Sequence, residues 1–151
     1  RYGSSAGSFV YMRIFLLLML SMVSYGAATD FSECKGKEAN YYVAKFTKNG
    51  TANGWLKAAR MHQKFYKDRG SDILVVPMLQ YRRDSEGNVT DKVHRITSMV
   101  IGSPESWQEW RDLRDNQSET DAAQSQKEYD SYVSLYNKHT ELTVQRKLCV
   151  L

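Results

Sequence analysis

The apolar positions of this chain change their period along its length, and each change marks an element. From Asp72 to Arg83 the sequence is almost continuously apolar. In a strand, Ile73, Val75 and Leu79 would share one face and Leu74, Val76 and Met78 the other. The turn Asp84-Ser85-Glu86-Gly87-Asn88 follows, and then a second β-rich run from about Lys92 to Gly102, with Val93, Ile96, Met99, Val100 and Ile101. Two such runs around a short turn holding Gly and Asn predict a hairpin. Pro77 has no N–H to give to a ladder, so its strand belongs at a sheet edge. A strand with water on one face should alternate apolar with polar residues. This one does not, so both of its faces ask for cover.

Helical patterns flank the hairpin. Upstream, Asn40 to Thr47 reads as a first strand, rich in aromatic and β-branched residues. After the turn Lys48-Asn49-Gly50-Thr51, a helix is predicted from about Ala52 to Arg69. Its Trp55, Ala58, Ala59, His62, Phe65 and Tyr66 recur at three- and four-residue steps, and Lys57, Arg60, Lys64 and Lys67 fall mostly opposite. Gly70 is a natural stop. Downstream, Ser103 suits an N-cap, Pro104 a first helical position and Glu105 the positive end of the dipole. Trp107, Trp110 and Leu113 share a face; Asp115 to Ser118 is a candidate interruption. Ala122, Tyr129, Tyr132, Val133 and Tyr136 carry the helical pattern on to about His139. A last strand spans Glu141 to Val150, with Leu142, Val144, Leu148 and Val150 on one side and Thr143, Gln145 and Lys147 on the other. No solenoid repeat or low-complexity linker divides the chain.

The order βαββαβ is the ferredoxin-like arrangement. It predicts an α+β sandwich: an antiparallel four-stranded sheet, in the order four-one-three-two, with two helices on one face. The second strand then lies at an edge, as Pro77 requires. The last strand runs beside the first, which brings Cys149 towards Cys34, the only cysteines in the sequence. An even cysteine count in an exported chain indicates a disulfide.

Export is the reading of the N-terminal residues. Arg1 to Tyr11 read as upstream residues outside the mature protein, and Met12 as the natural start. Arg13, the apolar run Ile14 to Val23 and the small residues Gly26-Ala27-Ala28 follow in the order of a signal peptide, residues 12–28. The run is too short for a stable membrane anchor. Cleavage after Ala28 leaves one domain, Thr29 to Leu151, long enough for an ordinary core. It also lowers the net charge from +4 to +2, because Arg1 and Arg13 are lost. The remaining charges alternate in sign and form no block. Neither a nucleic-acid footprint nor attraction to an anionic membrane is expected. The expected location is periplasmic or extracellular.

Tyr41–Phe46, Trp55–Tyr66, the long hairpin Ile73–Ile101 and Ser103-Pro104-Glu105-Ser106-Trp107 carry a resemblance. In topology and pattern, over nearly all of the chain after Ala28, the sequence resembles the dimeric α/β-barrel superfamily, which includes monooxygenase-like and stress-responsive barrel proteins. The resemblance implies a dimer whose two sheets face one another around a cavity. No catalytic motif of such proteins matches, so no catalytic residue carries over. Fold alone does not give function.

The candidate chemistry is sparse. His62, His94 and His139 have no partner at metal-ligand spacing, and no metal or other cofactor is expected. His62, on the apolar face of its helix, reads as a core histidine in preference to a ligand or base. His94 alternates with Ile96 and Ser98 and can line a cavity. His139 ends a helix, where a cation complements the dipole. There is no Gly-x-Ser-x-Gly elbow, no phosphate loop and no free nucleophilic cysteine. The acids Glu105, Glu109 and Asp112 read as a solvated helix face. Most of the aromatic residues fall at helical spacing, where packing explains them. Tyr41 and Tyr81 are strand residues; with Lys45, Arg82 and His94 they make the candidate ligand site, apolar with few polar groups. Asn49, Asn88 and Asn116 each open a glycosylation triplet in or near a turn, which matters only in a eukaryotic host. The expected function is binding of a small apolar or aromatic molecule in a sheet-lined pocket by a homodimer joined through the open sheet face. The alternatives are a cofactor-independent monooxygenase-like enzyme with His94 or His62 as base and, more weakly, a haem-binding barrel.

Overall fold

A computed structural model describes residues 31–151. The upstream residues and the signal peptide, residues 1–11 and 12–28, lie outside the described residues. After a 3-10 turn at Phe31–Glu33 come β1 (Lys37–Phe46), α1 (Ala52–Lys67), β2 (Leu74–Arg83), β3 (Val89–Gly102), α2 (Pro104–Asp115), α3 (Glu119–His139) and β4 (Thr140–Val150). The fold is α+β, with three helices and a four-stranded antiparallel sheet in the order β2-β3-β1-β4. Pro77 is therefore on an edge strand.

The element order is βαββααβ, because the second helical stretch is two helices. Residues 116–118 supply the break. Asn116 closes α2, and the Ser118 hydroxyl accepts from the Asp121 N–H to open α3. The same chemistry opens the other two helices: Thr51 accepts from Gly54 N–H and Ser103 from Ser106 N–H, with Pro104 following. Gly70 and Gly87 hold positive φ, 72° and 90°, at the stop of α1 and in the hairpin turn. In that turn the Asp84 carboxylate accepts from the N–H groups of Glu86 and Asn88, both at 2.9 Å.

The ladder register fixes the two faces of the sheet. Val75 pairs with Val100, and Val100 with Asn40; Tyr42 pairs with Ser98 and Ala44 with Ile96. This face carries the core, where Ala59 and Tyr66 of α1 and Trp107 of α2 pack on Ile73, Val75 and Val100. Trp107 Nε1–H also donates to the Glu38 carbonyl at 2.9 Å, fixing α2 on β1. The Gln63 side chain spans the entry to β2: its amide accepts from Val75 N–H at 2.7 Å and donates to the Ile73 carbonyl at 3.1 Å. These buried polar groups are thereby satisfied.

Alternation puts Leu74, Val76 and Met78 on the other face, in rows with Ile101, Met99 and Thr97 of β3 and Ala39, Tyr41 and Val43 of β1. Leu74 is 51 % exposed there, Val76 and Met78 are half-buried, and Ala39 and Thr97 are buried. Phe31 does not cover this face. Lys147 Nζ lies over the rings of both Phe31 and Trp107, at 5.3 and 5.0 Å, which keeps Phe31 on the helix side.

One strand departs from its expected pattern. The β1–β4 register shifts between Val43 and Ala44, so Val144 pairs with Val43 and Leu142 with Ala44. Leu142 therefore faces the helices and Val144 the open side, whereas simple alternation put both on one face. Gln145 and Lys147, opposite Tyr42 and Asn40, also face the helix side, and Arg146 faces the open side. Cys34 and Cys149 are joined, with their Cα atoms 5.6 Å apart.

Candidate functional site

Between α1, α3 and the helix side of the sheet lies a cavity of about 340 Å³. Its walls follow from helical spacing. Trp55, His62 and Tyr66 come from α1; Tyr129, Tyr132, Val133 and Tyr136 come from α3 at steps of three and four residues. Its floor is the ladder face of β1 and β3, where Tyr42 meets Ser98 and Ala44 meets Ile96. Ser98 and Ala44 are small. They leave unfilled the space that larger side chains at those positions would occupy.

Ring packing holds the walls. The His62 imidazole lies nearly parallel to the Tyr132 ring, 4.4 Å between centroids, and edge-on to Tyr136 at 6.0 Å. Tyr132 and Tyr136 meet edge to face at 6.2 Å. α3 is pinned at its middle and at its end. Near its middle, Glu128 pairs with the Arg69 guanidinium at 2.9 Å, and Arg69 also donates to Ser125 at 3.0 Å. At its end, His139 Nδ1 accepts from Thr51 N–H at 3.1 Å, and the Thr47 hydroxyl donates to the Lys138 carbonyl at 2.8 Å. A Cβ on Gly54 would stand 2.2 Å from the His139 ring, so this docking requires glycine. His139 thereby ties the end of α3 to the start of α1.

The cavity has no formally charged lining residue. Burial holds His62 neutral by lowering its pKa from 6.5 to about 4. Burial also pushes the phenols of Tyr42, Tyr66, Tyr132 and Tyr136 up, so all stay protonated. One polar atom stands out: the Tyr136 hydroxyl is buried and has no partner among the described residues. Buried phenols are ordinarily hydrogen-bonded.

The five residues singled out from sequence lie elsewhere. Tyr41 and Lys45 have the parity of the open sheet face; Tyr41 Oη accepts from Gln80 at 3.4 Å and Lys45 pairs with Glu141 at 3.2 Å. Tyr81, Arg82 and His94 sit towards the hairpin end. Tyr81 is 47 % exposed, and Arg82 Nε–H donates to His94 Nδ1 at 3.0 Å. Partial desolvation, then the charges of Arg82 and Arg95, lower the His94 pKa. None of the five lines the cavity between helices and sheet. His62, read as a core histidine, does line it. The available signal was an apolar helix stripe written in Tyr where Leu or Phe would serve packing alone. Asn49, Asn88 and Asn116 are all exposed. Among the described residues no cluster of His, Cys, Asp and Glu could hold a metal, and no helix is long and apolar enough to cross a membrane.

Comparison with protein-family models, curated proteins and solved structures found no match to the chain. Fold and site together define a disulfide-linked α+β protein with an uncharged, tyrosine-walled cavity between its helices and its sheet.

Proposed function

We propose that this protein binds a small, largely apolar or aromatic molecule in the cavity between α1, α3 and the sheet, and does so outside the cytoplasm. The observation that carries the reading is the cavity itself: it is concave, aromatic and free of charge, with one buried hydroxyl left unpartnered. That is the composition of small-molecule sites, and the volume is at the lower end of their range. The disulfide supports an oxidising compartment. Trp55 is a lining residue, so a bound aromatic molecule should change tryptophan emission saturably. Val133→Phe, which fills the cavity from α3, should abolish that change while leaving the far-UV circular dichroism intact. Unaltered binding by this variant would place the ligand elsewhere.

The fold also supports a ferredoxin-like sheet of the dimeric-barrel kind, with the second helix split in two. Its strand order is the one that topology requires. A second copy of the chain is the proposed cover for the open face. Leu74, Val76 and Met78 stand there beside Met99 and Ile101. Each such side chain contributes about 1.5–3 kcal/mol when fully buried. Leu74 is exposed but Val76 and Met78 are already half-buried, so three from each protomer gain less than this and reach only the lower end of association costs, about 4–15 kcal/mol. Twofold pairing buries the same patch twice. Light scattering should give twice the chain mass at tens of micromolar, and Val76→Lys should give a folded monomer; a monomeric native protein would sink the dimer.

An enzymatic reading has one candidate base, the His62 imidazole in the cavity wall, and burial that lowers its pKa to about 4 makes it a weak one. Turnover of a bound aromatic that His62→Gln abolishes would support it over simple binding.

A further inference from the structure

We propose that the cavity floor, through Asn40, Tyr42 and Ser98, selects a planar ring molecule whose edge carries an N–H donor beside a carbonyl acceptor, as a lactam does. This deepens the binding reading and rests on it.

The observation is a row of polar side chains where the fold calls for apolar ones. β1 and β3 are the central strands of the sheet. Their helix side is the core face, on which Ala44, Ile96 and Val100 stand. Asn40 and Tyr42 of β1 and Ser98 of β3 interrupt it. Tyr42 is the direct cross-strand neighbour of Ser98, and Asn40 lies two residues along the same face. At strand spacing the three occupy a patch roughly 7 Å long, about the length of a bicyclic aromatic. All three line the cavity and are half-buried. Each sits between two neighbouring strands, so the surface left to it is on the cavity side. Among the described residues none of these three side chains has a hydrogen-bond partner. Lys147, the ladder neighbour of Asn40, is engaged elsewhere: it pairs with Glu38 at 3.1 Å and lies over the rings of Phe31 and Trp107.

The chemistry of the row names its complement. The Asn40 carboxamide presents N–H and C=O side by side. Such a group pairs through two bonds with an edge that carries the same two groups in the opposite order, as asparagine does with the edge of a base. A hydroxyl or a ketone on the ligand satisfies only one of them. The Ser98 and Tyr42 hydroxyls stand beside this pair to serve the second lone pair of the ligand carbonyl. Burial raises the Tyr42 pKa, so its phenol remains a donor. The aromatic walls of α1 and α3 then take the two faces of the ring. A wholly apolar ligand on this floor would strip water from the row and offer no partner in return, which is unfavourable.

Three bicyclic probes separate the possibilities: naphthalene, quinolin-2-one and N-methylquinolin-2-one, titrated at pH 7 into the whole protein and followed by amide chemical shifts. Quinolin-2-one should bind at least about tenfold tighter than naphthalene, the range of two hydrogen bonds. Methylation of its nitrogen removes the donor and should weaken binding about three- to tenfold. Asn40→Leu should cut the advantage of quinolin-2-one over naphthalene at least about threefold. It should also raise the urea midpoint, because an unpartnered polar group on the core face gives way to an apolar one of similar size. An advantage that Asn40→Leu leaves unchanged overturns the inference. So does a fall in the midpoint, which would make Asn40 a structural residue. If naphthalene and quinolin-2-one bind the native protein equally, the inference fails while the binding reading stands. If no probe binds, both fail together. The comparison among probes on the native protein needs no variant, so poor folding of Asn40→Leu would not shield the proposal.

Discussion

Opening the Cys34–Cys149 bond, by reduction or by Cys34→Ser with Cys149→Ser, is expected to lower the stability of the protein by about 4–5 kcal/mol. The bond closes a loop between residues 115 apart in sequence. In the chain-entropy model, closing so long a loop removes many conformations from the unfolded chain, and the figure is the upper end for that reason. The folded side contributes as well. The cysteines lie where the start of β1 meets the end of β4, beside the pair Lys37–Val150. Gly36 passes so close to the Val150 carbonyl that a Cβ would stand 1.9 Å from its oxygen. Whole-domain stabilities are about 5–15 kcal/mol, so the loss should bring the domain near its unfolding threshold. Urea denaturation with and without reductant measures it. A large fall in the midpoint is expected; coincident curves would contradict the loop-closure argument.

Acid should destabilise the protein through His62, by up to about 3 kcal/mol. Burial lowers the folded-state pKa from 6.5 to about 4. Above pH 6.5 the imidazole is neutral in both states and has no effect. Between 6.5 and 4 the unfolded chain takes up a proton that the folded chain refuses, so stability falls with pH at about 1.4 kcal/mol per unit. Below about 4 both states are protonated and the loss is complete. The aromatic groups packed on His62 are Tyr66, Tyr132 and Tyr136, and none of these titrates in that window. Carboxylates elsewhere also respond to acid, so the informative quantity is a difference. The stability of the native protein should fall more steeply between pH 6.5 and 4.5 than that of His62→Phe. Parallel curves would mean that His62 is not desolvated.

The sequence made the strand and helix order legible because the apolar period switches cleanly between two and about 3.6. Pro77 marked the edge strand, and topology alone brought Cys34 to Cys149. Residues 116–118 were visible as an interruption, and Ser118 uses it to cap a new helix. The parity of β4 was not legible. It depends on a one-residue shift near Val43, where the Thr143 hydroxyl reaches the Val43 carbonyl at 3.0 Å, and no residue type signals such a shift. The site was harder still. Tyr41, Tyr81, Lys45, Arg82 and His94 were grouped as strand residues, but register decides which face a strand residue occupies. The cavity arises because Ser98 and Ala44 lie beneath the tyrosines of α3, a meeting of elements distant in sequence. His62 and the tyrosines were read as packing because their spacing is that of a core stripe. They do pack on one another, around a space that they leave open.

The most direct test of the cavity reading is nuclear magnetic resonance of the protein with a neutral aromatic probe such as 2-acetylnaphthalene. Intermolecular contacts are expected to the rings of Tyr66, Tyr132 and Tyr136, to Val133 and to Ile96. Contacts confined to Tyr41, Tyr81 or His94, on the open face and at the hairpin end, would contradict it.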